Sequence, residues 1–433
     1  MRSLFCGGDH LNARDFALIQ LDGKRLPGWK PGLIRERKVS EPGDARDWAL
    51  AEQIVNGVVK TLLPLQRDVE HYSGKLAAKI DPLVVKILAI AIYQLRHLDR
   101  IPAAAAVDEA VEQTKRFGKR KSAGFVNAVL RNVGRMPAAA QPDVNGDPEG
   151  YAEVVLSHPR EFFRRLVSLF GVERAIAFCR HDNVEPATIV RLFSGVEPGR
   201  LSVPGVEVLP HQQPRLFVIR NARRAVLAQW ASDGVAQVQD ATAAGVVEQM
   251  QIVAGQRVLD RCAGLGTKTL QIWEKVGTEG EVVAVDPSAF RCAGLKRMLA
   301  DRGISNVKVL EVGKLGAIGG ETSGAFDRIL VDVPCSNSGV LARRPEARYA
   351  GGLDCLVKLQ REILEDTLPW LAPGGLLAYS TCSVWPEENE RQIEQLLERH
   401  AELGVVSERA VLPESGEPLG YHDGGYLAVL RKG

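Results

Sequence analysis

Two short segments carry the residues best suited to chemistry: RILVDVPCSNSGV, with Asp332, Pro334 and Cys335, and GLLAYSTCSVWPEENE, with Thr381 and Cys382. A single cysteine is most often a small buried hydrophobe, and that reading suits Cys6, Cys179, Cys262, Cys292 and Cys355. Cys335 and Cys382 differ, because each follows an apolar strand-like run and enters a polar strand-to-helix turn, where a helix N-terminus can lower a thiol's pKa. If the two strands are neighbours, both thiols face one cleft, an arrangement suited to covalent work. Cytosine C5 is a weak nucleophile: methylating it needs a thiolate to add at C6, turning C5 into an enamine carbon that attacks a sulfonium methyl, and a second group to assist proton removal and release. Asp332 is placed to protonate or hydrogen-bond ring N3, which favours the addition. A base paired in a duplex cannot present C6, so the target has to be single-stranded or extruded.

A cofactor must lie beside such a pair. The run RVLDRCAGLGTKT reads as a strand, a glycine turn and a helix start; Gly264 and Gly266 allow a sharp turn and a close backbone approach, flanked by Cys262, Ala263, Leu265 and Lys268. The next strand, GEVVAVDPS, ends in Asp286, where an acid commonly accepts hydrogen bonds from ribose hydroxyls. Glycine loop and acid together indicate an adenosine-containing cofactor. The two cysteine segments favour S-adenosylmethionine over a dinucleotide, because a nicotinamide oxidoreductase leaves both thiols unexplained.

The elements that position these residues follow from periodicity. From Ala45 to Val133 apolar residues recur at three- and four-residue spacing, which predicts an all-α bundle, with an earlier short helix over Asn12–Leu21 and a buried helix over Pro82–Leu95. Residues 137–150 hold prolines and glycines without periodicity and read as a linker. Residues 151–235 mix a helix (Glu161–Phe178) with β-branched segments such as ATIVRLF and LFVIR, a small α+β connecting module. From 236 to 433 strands alternate with helices (RVLDRC, EVVAVD, VKVLEV, DRILVDVP, GLLAYSTC), which predicts an α/β doubly wound, Rossmann-like parallel sheet with ligands at the strand C-termini. The expected organisation is multidomain: helical domain 1–136, linker, connecting module, catalytic domain.

Charge is unevenly spread. Net charge is +2, yet Met1–Arg135 holds 23 Lys plus Arg against 15 Asp plus Glu. Lys115, Arg116, Lys119, Arg120, Lys121 and Arg131 are the candidate phosphate-backbone contacts of a nucleic-acid partner, although charge alone fits a solvated helix face as well. Seven scattered cysteines in 433 residues do not read as a disulfide framework, and no apolar run reaches a bilayer's thickness. A cytoplasmic location, no membrane, no metal and a monomer are expected.

These segments resemble the Sun (RsmB) family of bacterial 16S rRNA cytosine-5 methyltransferases over nearly the whole chain. DVPCSNSGVLARRPEARY is similar to that family's DAPCSGTGVLRRxPDxKW, and LAPGGLLAYSTCSVWPEENE to its LKPGGxLVYSTCSxxxEEN. RIPAAAAVDEAVEQTKRFGKRKSAGFVNAVLRN is similar to its NusB-like RNA-binding domain. The resemblance implies a class I methyltransferase using S-adenosylmethionine, Cys382 as nucleophile, Cys335 for product release, Asp332 at the target base, and small-subunit ribosomal RNA as substrate. The chain departs from the pattern around the cofactor and near its C-terminus: CAGLGTKT stands for CAAPGGKT, Gly313 replaces an Asp after the third strand, and DGGY lacks an aromatic after DG. The altered loop keeps an alternative open, a catalytically weakened or inactive RNA-binding homologue. A DNA cytosine-5 methyltransferase is a further rival, and it would use Cys335 as nucleophile.

Overall fold

The computed structural model describes residues 11–34, 45–317, 324–414 and 418–433, divided into two compact units, Met1–Asn183 and Val184–Gly433. Among the described residues the first unit is all helix: α1 (Ala13–Asp22), α2 (Ala45–Lys60), α3 (Leu62–Ser73), α4 (Pro82–His97), α5 (Ala103–Arg116), α6 (Ala123–Arg135), α7 (Pro148–Val154), α8 (Arg160–Phe170) and α9 (Val172–His181). Helix α4 is apolar on nearly every face, which only a central helix can satisfy, and α1, α2, α3, α5 and α6 pack around it. Asp81 caps its start, accepting from the Leu83 amide, and Pro82 fits the first turn. Lys86 breaks the apolar run without breaking the core, since its ammonium meets Asp22 Oδ1 and the Lys30 carbonyl, each at 2.6 Å. Gly57 lets α2 close on α4: a Cβ there would lie 1.9 Å from the Tyr93 ring.

The expected boundary in 137–150 does not coincide with the division of the chain, which falls between Asn183 and Val184. Arg67 donates to the Ala140 carbonyl and His71 Nε2 meets that of Pro137, so backbone hydrogen bonds tie this Pro-rich stretch to α3. The single helix expected over Glu161–Phe178 is two, because Gly171 at φ +80° ends α8 and starts α9. Both belong to the first unit, so the helix and the strands of the expected connecting module lie in different units.

The second unit opens with β1 (Thr188–Leu192), β2 (Glu207–Pro210), β3 (Leu216–Arg220), α10 (Arg224–Ser232) and β4 (Ala236–Val238), forming an antiparallel sheet of order β2-β3-β1-β4. There follow α11 (Ala241–Gln249), β5 (Arg257–Asp260), α12 (Thr267–Val276), β6 (Glu281–Asp286), α13 (Ala289–Asp301), β7 (Val307–Glu311), β8 (Phe326–Asp332), α14 (Leu353–Thr367), β9 (Leu371–Thr381), α15 (Glu390–Arg399), β10 (Leu403–Val411) and β11 (Gly425–Lys432). The larger sheet has seven strands in the order β10-β11-β9-β8-β5-β6-β7. Strands β5 to β9 pair in parallel, while β11 runs antiparallel to both β9 and β10. Strand order reverses between β5 and β8, so the C-terminal edge opens a crevice there. No helix among the described residues is long and apolar enough to cross a membrane.

Candidate active site

The parallel pairing of β8 with β9 decides where the two cysteines go. Their register sets Asp332 opposite Ser380, so the loops leaving both strands emerge side by side. Cys335 Sγ and Cys382 Sγ lie 3.1 Å apart. A buried carboxylate holds the loops together: Glu388 accepts from the Ser336 amide (2.8 Å), the hydroxyls of Ser336 and Ser383 (2.5 Å each) and Gln360 Nε2 (2.9 Å). The Gly339 amide donates to the Cys382 carbonyl at 2.9 Å and the Gly424 amide to the Gly339 carbonyl at 2.8 Å, contacts that a Cβ at Gly339 would close off.

The thiols differ in outlook. A cavity of about 580 Å³ reaches Cys382, Asp332, Lys268 and Thr381 and extends past Thr242, Asp423 and Gly425. Cys335 is not on its wall and is only 8% exposed. A substrate in the cavity therefore meets Cys382 first. The expected lowering by a helix N-terminus is corrected for Cys382: α15 begins only at Glu390, and the hydrogen bond to Cys335, burial and the charge of Asp332 push the thiol well above its ordinary value, with Lys268 opposing.

Lys268 Nζ meets Asp332 Oδ2 at 2.6 Å, and Ser380 Oγ donates to Asp332 Oδ1 at 2.8 Å. Burial works against the Lys268 charge, but the charge and hydrogen bond of Asp332 outweigh it and raise its pKa. Below this pair, Asp260 at the end of β5 was not foreseen as a site residue. Burial pushes its carboxyl up to about 6, although Thr269 Oγ1 donates to it at 2.6 Å. Unfolding restores the ordinary value, so Asp260 stabilises the fold below about pH 4 and that contribution is lost as pH rises through about 6. Asp260→Asn is expected to gain ~2–3 kcal/mol at neutral pH, with a flatter stability profile between pH 4 and 6 in urea titrations. Asp423, also pushed up to about 6 by burial, keeps part of the slope. An unchanged profile would show that the buried charge at 260 is not what strains this site.

The glycine turn lies at the crevice. Gly264 (φ +59°) and Gly266 (φ +90°) are both left-handed, and a Cβ on Gly266 would meet Leu295 Cδ1 at 2.4 Å. The Gly264 amide donates to Asp286 Oδ2 at 3.0 Å and the Ser288 amide to Oδ1 at 2.8 Å, leaving lone pairs for ribose hydroxyls. Ser288, rather than Asp286, caps α13. Leu265 and Phe290 stand 68% and 84% exposed, offering apolar surface to a purine near that acid. Cys262 is no rival nucleophile, since burial pushes its thiol up to about 12. These groups fit S-adenosylmethionine. The departures are accommodated: Thr267 takes the first position of α12, Leu265 points outward, and Gly313 lies in a short 3₁₀ turn, Val312–Ala317, bringing no carboxylate. At Gly425, where the pattern has an aromatic, a Cβ would lie 2.8 Å from the Thr381 carbonyl.

In the helical unit the six candidate RNA contacts separate into two groups. Lys115 pairs with Glu112 (2.6 Å), Lys119 with Asp81 (2.5 Å), and Arg116 with Asp15 (3.0 Å) and Glu109. Arg120, Lys121 and Arg131 are exposed. Sequence reasoning missed Glu388 and Asn337, whose only prior signal was their place beside the cysteine motifs.

Sheet order, glycine turn and terminal acids define a class I, Rossmann-like methyltransferase, whose methyl donor is S-adenosylmethionine. Comparison with known proteins narrows this. Residues 247–417 match the family described as 16S rRNA methyltransferase RsmB/F, and residues 30–135 match the NusB family. Ribosomal RNA small subunit methyltransferase B of Pseudomonas putida is 30% identical over 405 residues, 90% of this chain and 91% of that protein. Its probable counterpart in Bacillus subtilis is 28% identical, covering 89% and 87%. A solved methyltransferase homologue from Pyrococcus horikoshii superposes with a TM-score of 0.51 at 24% identity, covering 65% of this chain and 97% of its own, a likeness of fold. The chain belongs to the ribosomal RNA small subunit methyltransferase B family.

Proposed function

We propose that this protein methylates C5 of a cytosine in small-subunit ribosomal RNA, in the cytoplasm and as a monomer, with Cys382 as the nucleophile. The observation that carries the reading is the 3.1 Å thiol pair with only Cys382 on the cavity wall. The cavity volume suits one extruded nucleotide. Cys382 Sγ adds to C6 while the proton it gives up is balanced by one gained at N3, where the Asp332 carboxylate stabilises the N3–H. Lys268 holds Asp332 Oδ2 at 2.6 Å and favours negative charge on the sulfur. Bound S-adenosylmethionine supplies an electrophilic methyl group for the enamine carbon C5. Loss of the C5 proton to solvent then expels Cys382, whose sulfur recovers the proton held at N3, and the aromatic ring is restored, with Cys335 placed to assist that release. Gly264, Gly266 and Asp286 hold the adenosine, with Cys262, Ala263 and Leu265 lining the turn. Arg120, Lys121 and Arg131 form the RNA-backbone surface of the helical unit, the other three cations being committed to carboxylates.

Bisulfite mapping of small-subunit ribosomal RNA from cells with and without the gene tests the substrate. One methylcytosine is expected to vanish in the deletion and return with the wild-type gene. An unchanged map would overturn the ribosomal assignment.

A further inference from the structure

Asn337 is the third member of the thiol cluster. Its backbone is left-handed (φ +58°), a region in which Gly is less costly and Asn is tolerated. The similar family segment has Gly at this place, so the turn itself does not call for a side chain. Asn337 Nδ2 donates to the Cys335 carbonyl at 3.0 Å. A carbonyl needs a donor, which fixes the amide orientation and turns Oδ1 toward Cys382 Sγ, 3.3 Å away. An amide oxygen only accepts, so Cys382 is the donor in that contact. The Cys335 thiol lies against the same sulfur at 3.1 Å, and either sulfur can donate in that contact. The three groups form one cluster around Cys382.

We propose that Asn337 is a positioning residue that holds Cys382 as an aimed, protonated thiol, so that the nucleophile is released only when a target base enters the cavity. A hydrogen bond accepted from the protonated form disfavours the thiolate. Other groups near Cys382 are Asp332 at the end of β8 and Lys268 on α12, with Asp240, His422, Asp423 and Arg409 on the same cavity wall.

The proposal rests on Cys382 being the nucleophile, and its test is independent of methyl transfer. The full-length protein, without RNA or methyl donor, is alkylated with iodoacetamide across a pH series, and the Cys382 adduct is followed by peptide mass spectrometry. Asn337→Gly keeps the left-handed turn and removes the acceptor, so the alkylation midpoint is expected to fall by about half to one pH unit. Asn337→Asp puts a carboxylate against the thiol, and the midpoint is expected to rise. A role confined to loop structure would move both variants the same way. Midpoints that do not move, or that move together, overturn the proposal. If they diverge as expected while the Cys335→Ala protein described below traps no RNA, the nucleophile assignment fails on its own evidence.

Discussion

Cys335→Ala protein, incubated with S-adenosylmethionine and small-subunit ribosomal RNA, is expected to accumulate a covalent protein–RNA species that survives denaturing electrophoresis. The neighbouring thiol is removed while the nucleophile stays, so addition and methylation proceed and release stalls. Cys382→Ala protein should form no such species, and its turnover should fall by a factor on the order of 10⁴–10⁶, the range seen when an enzyme loses its nucleophile. The double variant should behave like Cys382→Ala, because release cannot matter where no bond forms. The geometry behind the asymmetry is direct: Cys382 borders the cavity, and Cys335 lies behind it at 3.1 Å. A trapped adduct with Cys382→Ala and none with Cys335→Ala would invert the roles and support the chemistry of a DNA cytosine-5 methyltransferase.

The second large effect lies in the Lys268–Asp332 pair. Asp332→Ala removes the only carboxylate among the described residues that contacts Lys268 and faces the cavity beside Cys382. Without a partner for N3–H, kcat should drop about 10³-fold, with affinity for the methyl donor changed far less. Lys268→Met acts by another route: Asp332 loses its cationic partner, and the Cys382 thiol is pushed further up. Activity should fall about 10²-fold at neutral pH and recover partly toward alkaline pH, whereas Asp332→Ala shows no alkaline recovery. Identical pH–rate profiles for the two variants would sink the division of labour assigned here.

The helical unit and the parallel strands were legible because their signals are local. Helix α4 is a continuous apolar run after Asp-Pro, and strands β5, β6 and β8 are β-branched runs ending in acids. Strand β10 carried no such signal: on the sheet edge, paired on one side only, it leaves most of its residues exposed. The Pro-rich stretch 137–150 shows the same limit of local reading. Its composition reports missing periodicity, while Arg67 and His71, distant in sequence, hold its carbonyls. In the basic run Lys115–Lys121 three side chains pair with carboxylates: Glu112 and Glu109 lie on the same helix, whereas Asp15 and Asp81 reach Arg116 and Lys119 only through packing.

By itself the sequence determined the kind of chemistry, because reactive groups and the turns that bear them are written in short segments: two thiols in polar loops, a glycine turn, and the acids Asp286 and Asp332 at two strand ends. Tertiary structure decided which thiol borders the cavity, that both sulfurs touch, that Glu388 ties their loops, and that Asn337 Oδ1 lies 3.3 Å from Cys382 Sγ. Those facts depend on the register of β8 against β9 and on the close approach of Gly339 to Gly424. Distances between residues far apart in the chain arise from packing, which no local pattern encodes.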